Sequence, residues 1–222
     1  LEITINGIND FKVNAEIGND RNWTSSLPAL TLGKLATGTT YEVWGKATDN
    51  AGNISESRIA KLNVDKTPPV VKFSDSVKNQ AEQGINGVKD IIGTVNESNT
   101  PKSLEFFYTL QDPSTASQPE NNSGTPAGWT KIGDTVTSSQ QIYNWTVSGF
   151  DFTEKSSVLT KTDGTAKIYI LPVAVDEAGN CNAYTKNNSG EISWNLKPGD
   201  VDQWLEFNVD ASLDRPLITF SD

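Results

Sequence analysis

The stretch Asp-Asn-Ala-Gly-Asn at Asp49–Asn53 returns later in the chain as Asp-Glu-Ala-Gly-Asn at Asp176–Asn180. Each copy ends an alternating run typical of a β-strand, Thr40–Thr48 before the first copy and Ala166–Val175 before the second. Gly and Asn tolerate positive φ, so the shared Ala-Gly-Asn predicts a tight hairpin turn, with the preceding Asp accepting turn amides. Such repetition indicates that one structural module is used more than once.

A second repeated mark supports this interpretation. Val-Asp-Lys-Thr-Pro-Pro begins at Val64, and Val-Asp-Ala-Ser-Leu-Asp-Arg-Pro begins at Val209. The second copy is longer than the first because of two insertions rich in Asn, Ser and Gly, Asp112–Gly128 and Cys181–Gln203. This composition predicts that both insertions are surface loops.

The rest of the chain reads as many short strands. β-Branched and aromatic runs bounded by Gly, Asn, Asp and Pro predict strands, and many such strands without helices predict an all-β fold built from β-sandwiches. The best helical candidate is Val77–Gln83, which we expect to form no more than one short turn. The predicted strands are Leu1–Asn6, Phe11–Ile17, Trp23–Thr24, Thr40–Thr48, Ile54–Val64, Val70–Phe73, Ile91–Val95, Leu104–Leu110, Trp129–Ile132, Ile142–Val147, Ala166–Val175 and Trp204–Val209.

The two copies align strand by strand, and the alignment predicts the domain organisation. Leu1 aligns with Leu104, and two predicted strands precede Leu104 but none precedes Leu1. We therefore expect residues 1–66 to form a partial module that lacks its first two strands, and residues 67–210 to form a complete module.

We expect residues 211–222 to hold a linker and the first strand of a following module, because Pro216–Asp222 repeats Pro69–Asp75. This orphan strand could pair with the open edge of the partial module in another chain. The chain starts at Leu1 without a methionine, from which we expect a fragment or a processed form.

Composition excludes several functions. The chain carries 18 Lys and Arg against 28 Asp and Glu, a net charge of −10, which argues against nucleic-acid partners and anionic membrane surfaces. One cysteine, Cys181, and no histidine exclude an internal disulfide, a Cys-based zinc site, and Ser-His-Asp or Cys-His catalysis. The longest apolar run, Ile168–Val175, is far shorter than the roughly 20 residues of a membrane helix, so no membrane insertion is expected in this fragment.

These motifs resemble the bacterial Ig-like repeats that occur in tandem in large surface proteins and adhesins. The resemblance rests on Leu-x-Ile-x-Ile-Asn-Gly, Trp-Thr, Leu-x-x-Gly-Thr-x-Tyr-x-Val, Ala-Thr-Asp-x-Ala-Gly-Asn and Val-Asp-x-Thr-Pro-Pro. Around Tyr41 the chain is also similar to fibronectin type III modules. Two departures are Ile168, which replaces Tyr41 in the second copy, and the second linker, which lacks Thr-Pro-Pro.

The resemblance implies tandem Ig-like β-sandwiches in an extracellular or bacterial cell-surface protein. It implies adhesion, binding or spacing without catalysis, with neighbouring Ig-like modules as partners and a host protein or glycan as a possible ligand. The alternative is an accessory module, carbohydrate-binding or spacer, of a surface carbohydrate-active enzyme. A carboxylate pair such as Asp151 and Glu154 could serve a glycosidase, but no substrate cleft is marked in the sequence.

Calcium is the one cofactor that the repeated acidic positions suggest. Asp49, Asp65, Asp176 and Asp210 lie near module ends, where some related repeat proteins bind calcium between domains. Calcium needs 6–8 oxygen ligands, and no dense Asp-x-Asp-x-Asp loop is present, so turn capping is the competing interpretation.

Four aromatic residues carry further expectations. Tyr41 is expected to form a tyrosine corner, in which its hydroxyl bonds to backbone just upstream. Trp23 and Trp145 recur in register, which favours core packing for both. Trp44 should point away from the core of its own module, either covered by a neighbouring loop or module or free to bind a ligand.

In the second module the outward residues of the same strand are apolar, and we expect Cys181–Gln203 to cover them.

Overall fold

The structure is a computed structural model that describes residues 1–8, 11–18, 22–25, 33–97, 101–114, 124–160, 164–187, 190–196 and 203–212. The chain divides into two compact units, Leu1–Thr67 and Pro68–Asp222, which we call unit 1 and unit 2. The sequence predicted a module boundary after residue 66. The strand predicted at Pro216–Asp222 and much of the Asp112–Gly128 insertion lie outside the described residues.

The described part of unit 1 contains six strands: β1 (Glu2–Ile5), β2 (Lys12–Asn14), β3 (Glu16–Ile17), β4 (Trp23–Thr24), β5 (Thr40–Thr48) and β6 (Ile54–Asn63). Four of them form one antiparallel sheet of order β2-β1-β5-β6. A second, very small sheet pairs β3 with β4. The predicted strand Phe11–Ile17 is therefore divided in two.

The large sheet of unit 1 has one apolar and one polar face because its strands alternate. Ile3 and Ile5 are buried, and their partners across β5 are Gly45 and Val43 on the same face. The opposite face carries charged residues, among which Lys12 pairs with Glu2, and Arg58 with Glu42.

The described part of unit 2 contains nine strands: β7 (Val70–Phe73), β8 (Val88–Asn96), β9 (Pro101–Thr109), β10 (Thr130–Val136), β11 (Ile142–Asp151), β12 (Thr165–Asp176), β13 (Tyr184–Lys186), β14 (Ile192–Trp194) and β15 (Leu205–Asp210). Seven of them form two principal antiparallel sheets, of order β10-β9-β12-β15 and β11-β8-β7, and β13 pairs with β14 in a small third sheet. The residues described are thus predominantly in antiparallel β-structure, which confirms the predicted all-β class.

Apolar residues from both sheets of unit 2 meet in one core. Trp145 from β11 packs edge-on against Phe73 of β7, with ring centroids 5.6 Å apart, and tilts against Phe106 of β9. A dozen side chains there are almost wholly excluded from solvent, among them Ile168, Ile170 and Phe207. The alternation of β8, β9 and β11 produces this core, since every second residue faces inward.

The expectation of no helix beyond one short turn is wrong. Helix α1 (Asp75–Gln83) spans nine residues, and helix α2 (Phe152–Ser156) follows β11 directly. Ser74 caps α1 by accepting the Val77 N–H at 3.3 Å. Only Val77 and Ala81 of α1 are buried, and this narrow apolar stripe on a polar helix explains why its helical periodicity is so weak.

The Cys181–Gln203 insertion forms a hairpin that the sequence missed. Strands β13 and β14 pair there, and Tyr184 packs edge-on against Trp194 with ring centroids 5.0 Å apart. The hairpin contributes to a second apolar cluster together with Tyr169, Leu171 and Val173 of β12. This confirms the prediction that the insertion covers the outer face of that strand.

Candidate functional site

The repeated Asp-x-Ala-Gly-Asn turns have the same geometry in both units. In each turn the Asn backbone N–H donates to the first carboxylate oxygen of the Asp at 2.8 Å, and the Asn side-chain amide donates to the second at 2.8 Å. The glycine of each turn adopts positive φ, +88° at Gly52 and +90° at Gly179. Both aspartates therefore hold the turn that ends their strand.

The two turns differ in their surroundings. Asp49 is exposed, and the amide hydrogen bond from Asn53, aided by the Asn53 backbone N–H, lowers the pKa of its carboxyl below the ordinary value. Asp176 is fully buried, and a carboxylate oxygen of Glu97, itself only 5% exposed, lies within 4.8 Å of one of its own. Two charged carboxylates this close repel each other, and a cation between them would relieve that repulsion.

Asp65 and Asp210 occupy a second repeated turn. Asp65 Oδ1 accepts the Thr67 N–H at 2.9 Å, and Asp210 Oδ1 accepts the Ser212 N–H at 2.8 Å. In both cases the side chain bonds to backbone two residues ahead, which is the usual Asx-turn role. All four predicted aspartates thus cap turns, and in unit 2 Asp176 also has Glu97 as a near neighbour.

Glu97 was missed by the sequence reasoning. It directly follows β8, and its backbone N–H donates to Gln141 O at 2.9 Å. No sequence signal marks it, because Glu97 is 79 residues from Asp176 and the two residues lie at the ends of β8 and β12, which belong to different sheets. Knowledge of how the two sheets pack would have been needed to find this pair.

The tyrosine corner is confirmed in unit 1. The Tyr41 hydroxyl accepts the Ala36 backbone N–H at 3.0 Å, five residues upstream. In unit 2 the corresponding residue is Ile168, which is buried in the core instead. A different tyrosine of unit 2, Tyr143, has a buried hydroxyl with no hydrogen-bond partner among the described residues.

The prediction of core packing holds for Trp145 and is wrong for Trp23. Trp145 is 2% exposed, whereas Trp23 is 42% exposed. The difference has a structural cause: Trp145 lies against Gly93 of β8, where an added Cβ would come within 2.3 Å of the indole. Unit 1 has no counterpart of β7 and β8 in its described part, so Trp23 has no such strand beside it.

Trp44 is half-buried on the polar side of β5. Its indole Nε1 donates to Glu42 Oε2 at 3.3 Å. The ring lines a shallow depression of about 450 Å³ together with Asn6, Gly7 and Glu56. Trp44 is therefore neither fully covered nor fully exposed, and its ring lies beside polar groups in this depression.

A larger cleft lies at the open edge of unit 2. It has a volume of about 630 Å³ between β10 and β11, with Phe106, Tyr108 and Phe150 among its lining residues. Both edge strands are irregular here: β10 shifts register after Ile132 and β11 after Val147. Such bulges obstruct the addition of a further strand to the edge.

Asp151 and Glu154, the imagined glycosidase pair, line the rim of this cleft. Asp151 Oδ1 accepts the Glu154 backbone N–H at 3.0 Å and so caps α2. Glu154 pairs with Lys155 at 2.9 Å, and this hydrogen bond raises the pKa of the Lys155 ammonium. Both carboxylates thus have ordinary helix-end partners.

Cys181 lies in the second apolar cluster, beneath the hairpin. It is 8% exposed, and burial raises the pKa of its thiol to about 11. Burial also raises the pKa of the neighbouring Tyr184 hydroxyl. A buried thiol that stays protonated at neutral pH is a poor nucleophile and a poor metal ligand.

No protein-family model matches the chain, and no curated protein shows significant sequence similarity to it. Among the helices that the structure describes, none combines the length and the apolar character needed to cross a lipid bilayer.

Proposed function

We propose that the chain is a pair of tandem Ig-like β-sandwich modules from a bacterial surface protein, acting in adhesion, binding or spacing without catalysis. The supporting observation is the internal repeat: both units have a four-stranded sheet of the same order, closed by the same Asp-x-Ala-Gly-Asn turn. A chain that reuses scaffold and turns, rather than a set of reactive groups, fits an array of modules.

If the modules act as spacers, the linker between them should be stiff. Pro68 and Pro69 fix φ at the junction, and this limits the freedom of the linker. Fluorescent labels placed on exposed sites of the two units would report the distribution of distances between them. Replacing both prolines by glycine should broaden that distribution. If the wild type and the glycine variant showed equal distance distributions, the prolines would not stiffen the linker.

If the chain acts in adhesion, it should bind a ligand, and we propose that this ligand is a host protein or a glycan. The intact chain, immobilised on a sensor, should bind an extracellular-matrix protein or a surface glycan from a panel. A pure spacer should bind none of them. The same sensor, with the chain deleted between Asn187 and Glu191 at the tip of the β13–β14 hairpin, would test whether the insertion carries the contact.

The alternative is an accessory module of a carbohydrate-active enzyme, which the half-exposed ring of Trp44 favours, since sugars stack on accessible aromatic rings. Co-sedimentation with insoluble cellulose, xylan and chitin tests it. Binding that is lost in Trp44→Ala and kept in Trp23→Ala would favour the accessory module. Retention in the supernatant with all three polysaccharides would favour the adhesion or spacer role.

Calcium stays a prediction for Asp49, Asp65, Asp176 and Asp210. Bound calcium should give heat in a calorimetric titration and raise the melting temperature of the intact chain at millimolar concentration. Replacement of Asp176 by Asn should then remove the effect of the ion on unit 2, where Glu97 lies nearby. No heat and an unchanged melting temperature would leave all four aspartates as turn caps.

A further inference from the structure

The cleft between β10 and β11 combines aromatic carbon with polar groups. Its volume of about 630 Å³ is that of a ligand pocket, and it opens where the edge strands of the two principal sheets separate. Phe106 and Phe150 are buried beneath it and Tyr108 is half-buried beside them; we call these three residues its aromatic floor. The Tyr108 and Phe150 rings meet edge-on with centroids 5.5 Å apart.

Two bulges shape the mouth of this cleft. Opposite Glu105 of β9, strand β10 has three residues, Gly133–Thr135, in place of one. Strand β11 has two residues, Ser148 and Gly149, opposite Asp90 of β8. The glycine in each bulge adopts positive φ, +61° in β10 and +68° in β11. Because the bulges interrupt both edges, we expect a partner polypeptide to enter the cleft with a side chain rather than to add a strand.

The two lysines that line the cleft have partners of opposite charge within the protein. Lys131 Nζ donates to Glu105 Oε1 at 2.7 Å and to Thr135 Oγ1 at 2.8 Å. Lys155 Nζ donates to Glu154 Oε1 at 2.9 Å. These ion pairs reduce the attraction that either ammonium could exert on an anionic ligand.

Two carboxylates of the cleft form no ion pair with a lysine or arginine among the described residues. Asp134 is exposed in the β10 bulge, where its side chain accepts no hydrogen bond from the described part of the chain. Asp151 accepts one hydrogen bond, at Oδ1 from the Glu154 N–H. With both lysines already paired, Asp134 and Asp151 give the cleft a net negative charge beside its aromatic floor.

We propose that this cleft binds a basic side chain, lysine or arginine, of a partner protein. The apolar stem of such a side chain packs on the aromatic floor, and its charged head reaches the Asp134 and Asp151 carboxylates. The face of the Tyr108 ring also attracts a cation. A neutral glycan could stack on Tyr108, but it would neutralise neither carboxylate, so the charge of the cleft favours the basic side chain.

This proposal rests on the binding role proposed above, to which it adds a site and the chemical group that the site recognises. Titration of the intact chain followed by nuclear magnetic resonance tests it. The probe is a short peptide with blocked ends and one arginine. The matched probe carries citrulline instead, which keeps the shape of the side chain and removes its charge. A soluble cello-oligosaccharide is the third probe.

Two variants remove one negative charge each. Asp134→Asn acts inside the cleft, and Glu177→Gln acts on the exposed turn that follows β12. Because both side chains are exposed, we expect both variants to fold as the wild type does. Titration at high salt gives a second measurement that needs no variant, since salt screens an ion pair near the surface.

The arginine peptide should shift amide signals of β10 and β11, and the citrulline peptide should bind about fivefold or more weakly. Asp134→Asn should weaken the arginine peptide about threefold, Glu177→Gln should leave it unchanged, and high salt should weaken it.

Equal binding of the arginine and citrulline peptides would overturn the proposal, as would shifts confined to signals outside β10 and β11. Equal weakening by the two variants would also overturn it, because the charge would then act from the whole surface. Tighter binding of the oligosaccharide at β10 and β11 would replace the basic side chain with a glycan. The sensor panel tests adhesion separately, so binding there without any peptide shift would reject this cleft and keep the adhesion role.

Discussion

The sheets β2-β1-β5-β6 and β10-β9-β12-β15 share their strand order and their closing turn, but not what lies on their faces. On the outer face, β5 of unit 1 carries Glu42, Trp44 and Lys46. The corresponding strand β12 carries Tyr169, Leu171 and Val173, which the β13–β14 hairpin buries. The two units thus share their strand order because they share the turn and strand signals. The side chains on the outer face differ because a hairpin covers that face in unit 2.

Two recurring tryptophans, Trp23 on β4 and Trp145 on β11, show the same dependence on the surrounding strands. The same Asn-Trp-Thr sequence gives an indole that is 2% exposed at Trp145 and 42% exposed at Trp23. Local sequence is identical, so the difference arises from the strands that surround each ring. Burial is therefore a property of the module as a whole rather than of the motif.

The largest expected effect separates these tryptophans. Trp145→Ala should cost about 4 kcal/mol of the free energy of unfolding, because it leaves a cavity between Phe73 and Phe106. Trp23→Ala should cost less than about 1 kcal/mol, because the ring is half in solvent. Urea unfolding followed by circular dichroism measures both losses. Similar losses would mean that Trp23 is packed in solution as Trp145 is.

Two strand glycines give the next effect. An added Cβ at Gly93 would come within 2.1 Å of the Lys72 carbonyl oxygen and within 2.3 Å of the Trp145 ring, so Gly93→Ala should cost about 3 kcal/mol or more. At Gly45 the nearest atom is the flexible Ile59 side chain at 3.1 Å, and Gly45→Ala should change stability by less than about 1 kcal/mol. Thermal melting of both variants tests this contrast, which an equally mild effect of both would refute.

Two tyrosine hydroxyls give a smaller contrast. Tyr41→Phe should cost about 1 kcal/mol, because the Ala36 N–H loses its acceptor. Tyr143→Phe should be neutral or slightly stabilising, because the hydroxyl is buried without a partner among the described residues. Denaturant midpoints of the two variants, measured beside the wild type, check the sign of each change. A stable Tyr41→Phe protein would show that water replaces the corner bond.

The smallest expected effect is on the acid stability of unit 1. The pKa of Asp49 is lowered in the folded state by the hydrogen bonds from Asn53. Its stabilising contribution is therefore present above the unfolded value of 3.8 and is lost as the pH falls through the folded pKa. The stability of Asp49→Asn should fall less steeply with acid than that of the wild type. Hydrogen exchange in Thr40–Asn63 across this pH range measures the slopes, and parallel slopes would contradict the assignment.

Much of this fold could be predicted from the sequence because strands and turns have local signals. The first and last residues of β5 (Thr40–Thr48) and β7 (Val70–Phe73) are the ones that the sequence pattern predicted. Likewise, Gly-Thr-Thr before Tyr41 was enough to predict the tyrosine corner. The hairpin β13–β14 escaped because its strands have three residues each, too few for a period to emerge.

The candidate site was less predictable because it depends on which strands become neighbours. Nothing near Glu97 in the sequence indicates that it would lie beside Asp176. Likewise, the exposure of Trp23 reflects missing neighbours rather than its own motif. Local patterns identify elements and their caps, whereas burial and the meeting of distant side chains require the tertiary arrangement.

Because Cys181 is buried beneath the β13–β14 hairpin, the reactivity of its thiol reports how often the hairpin opens. With its pKa at about 11 and the hairpin closed over it, the thiol should react with a maleimide only while the hairpin is lifted. The labelling rate, compared with that of an unfolded chain, gives the fraction of time spent open. Because the sequence contains a single cysteine, the intact protein already carries this reporter without any engineering.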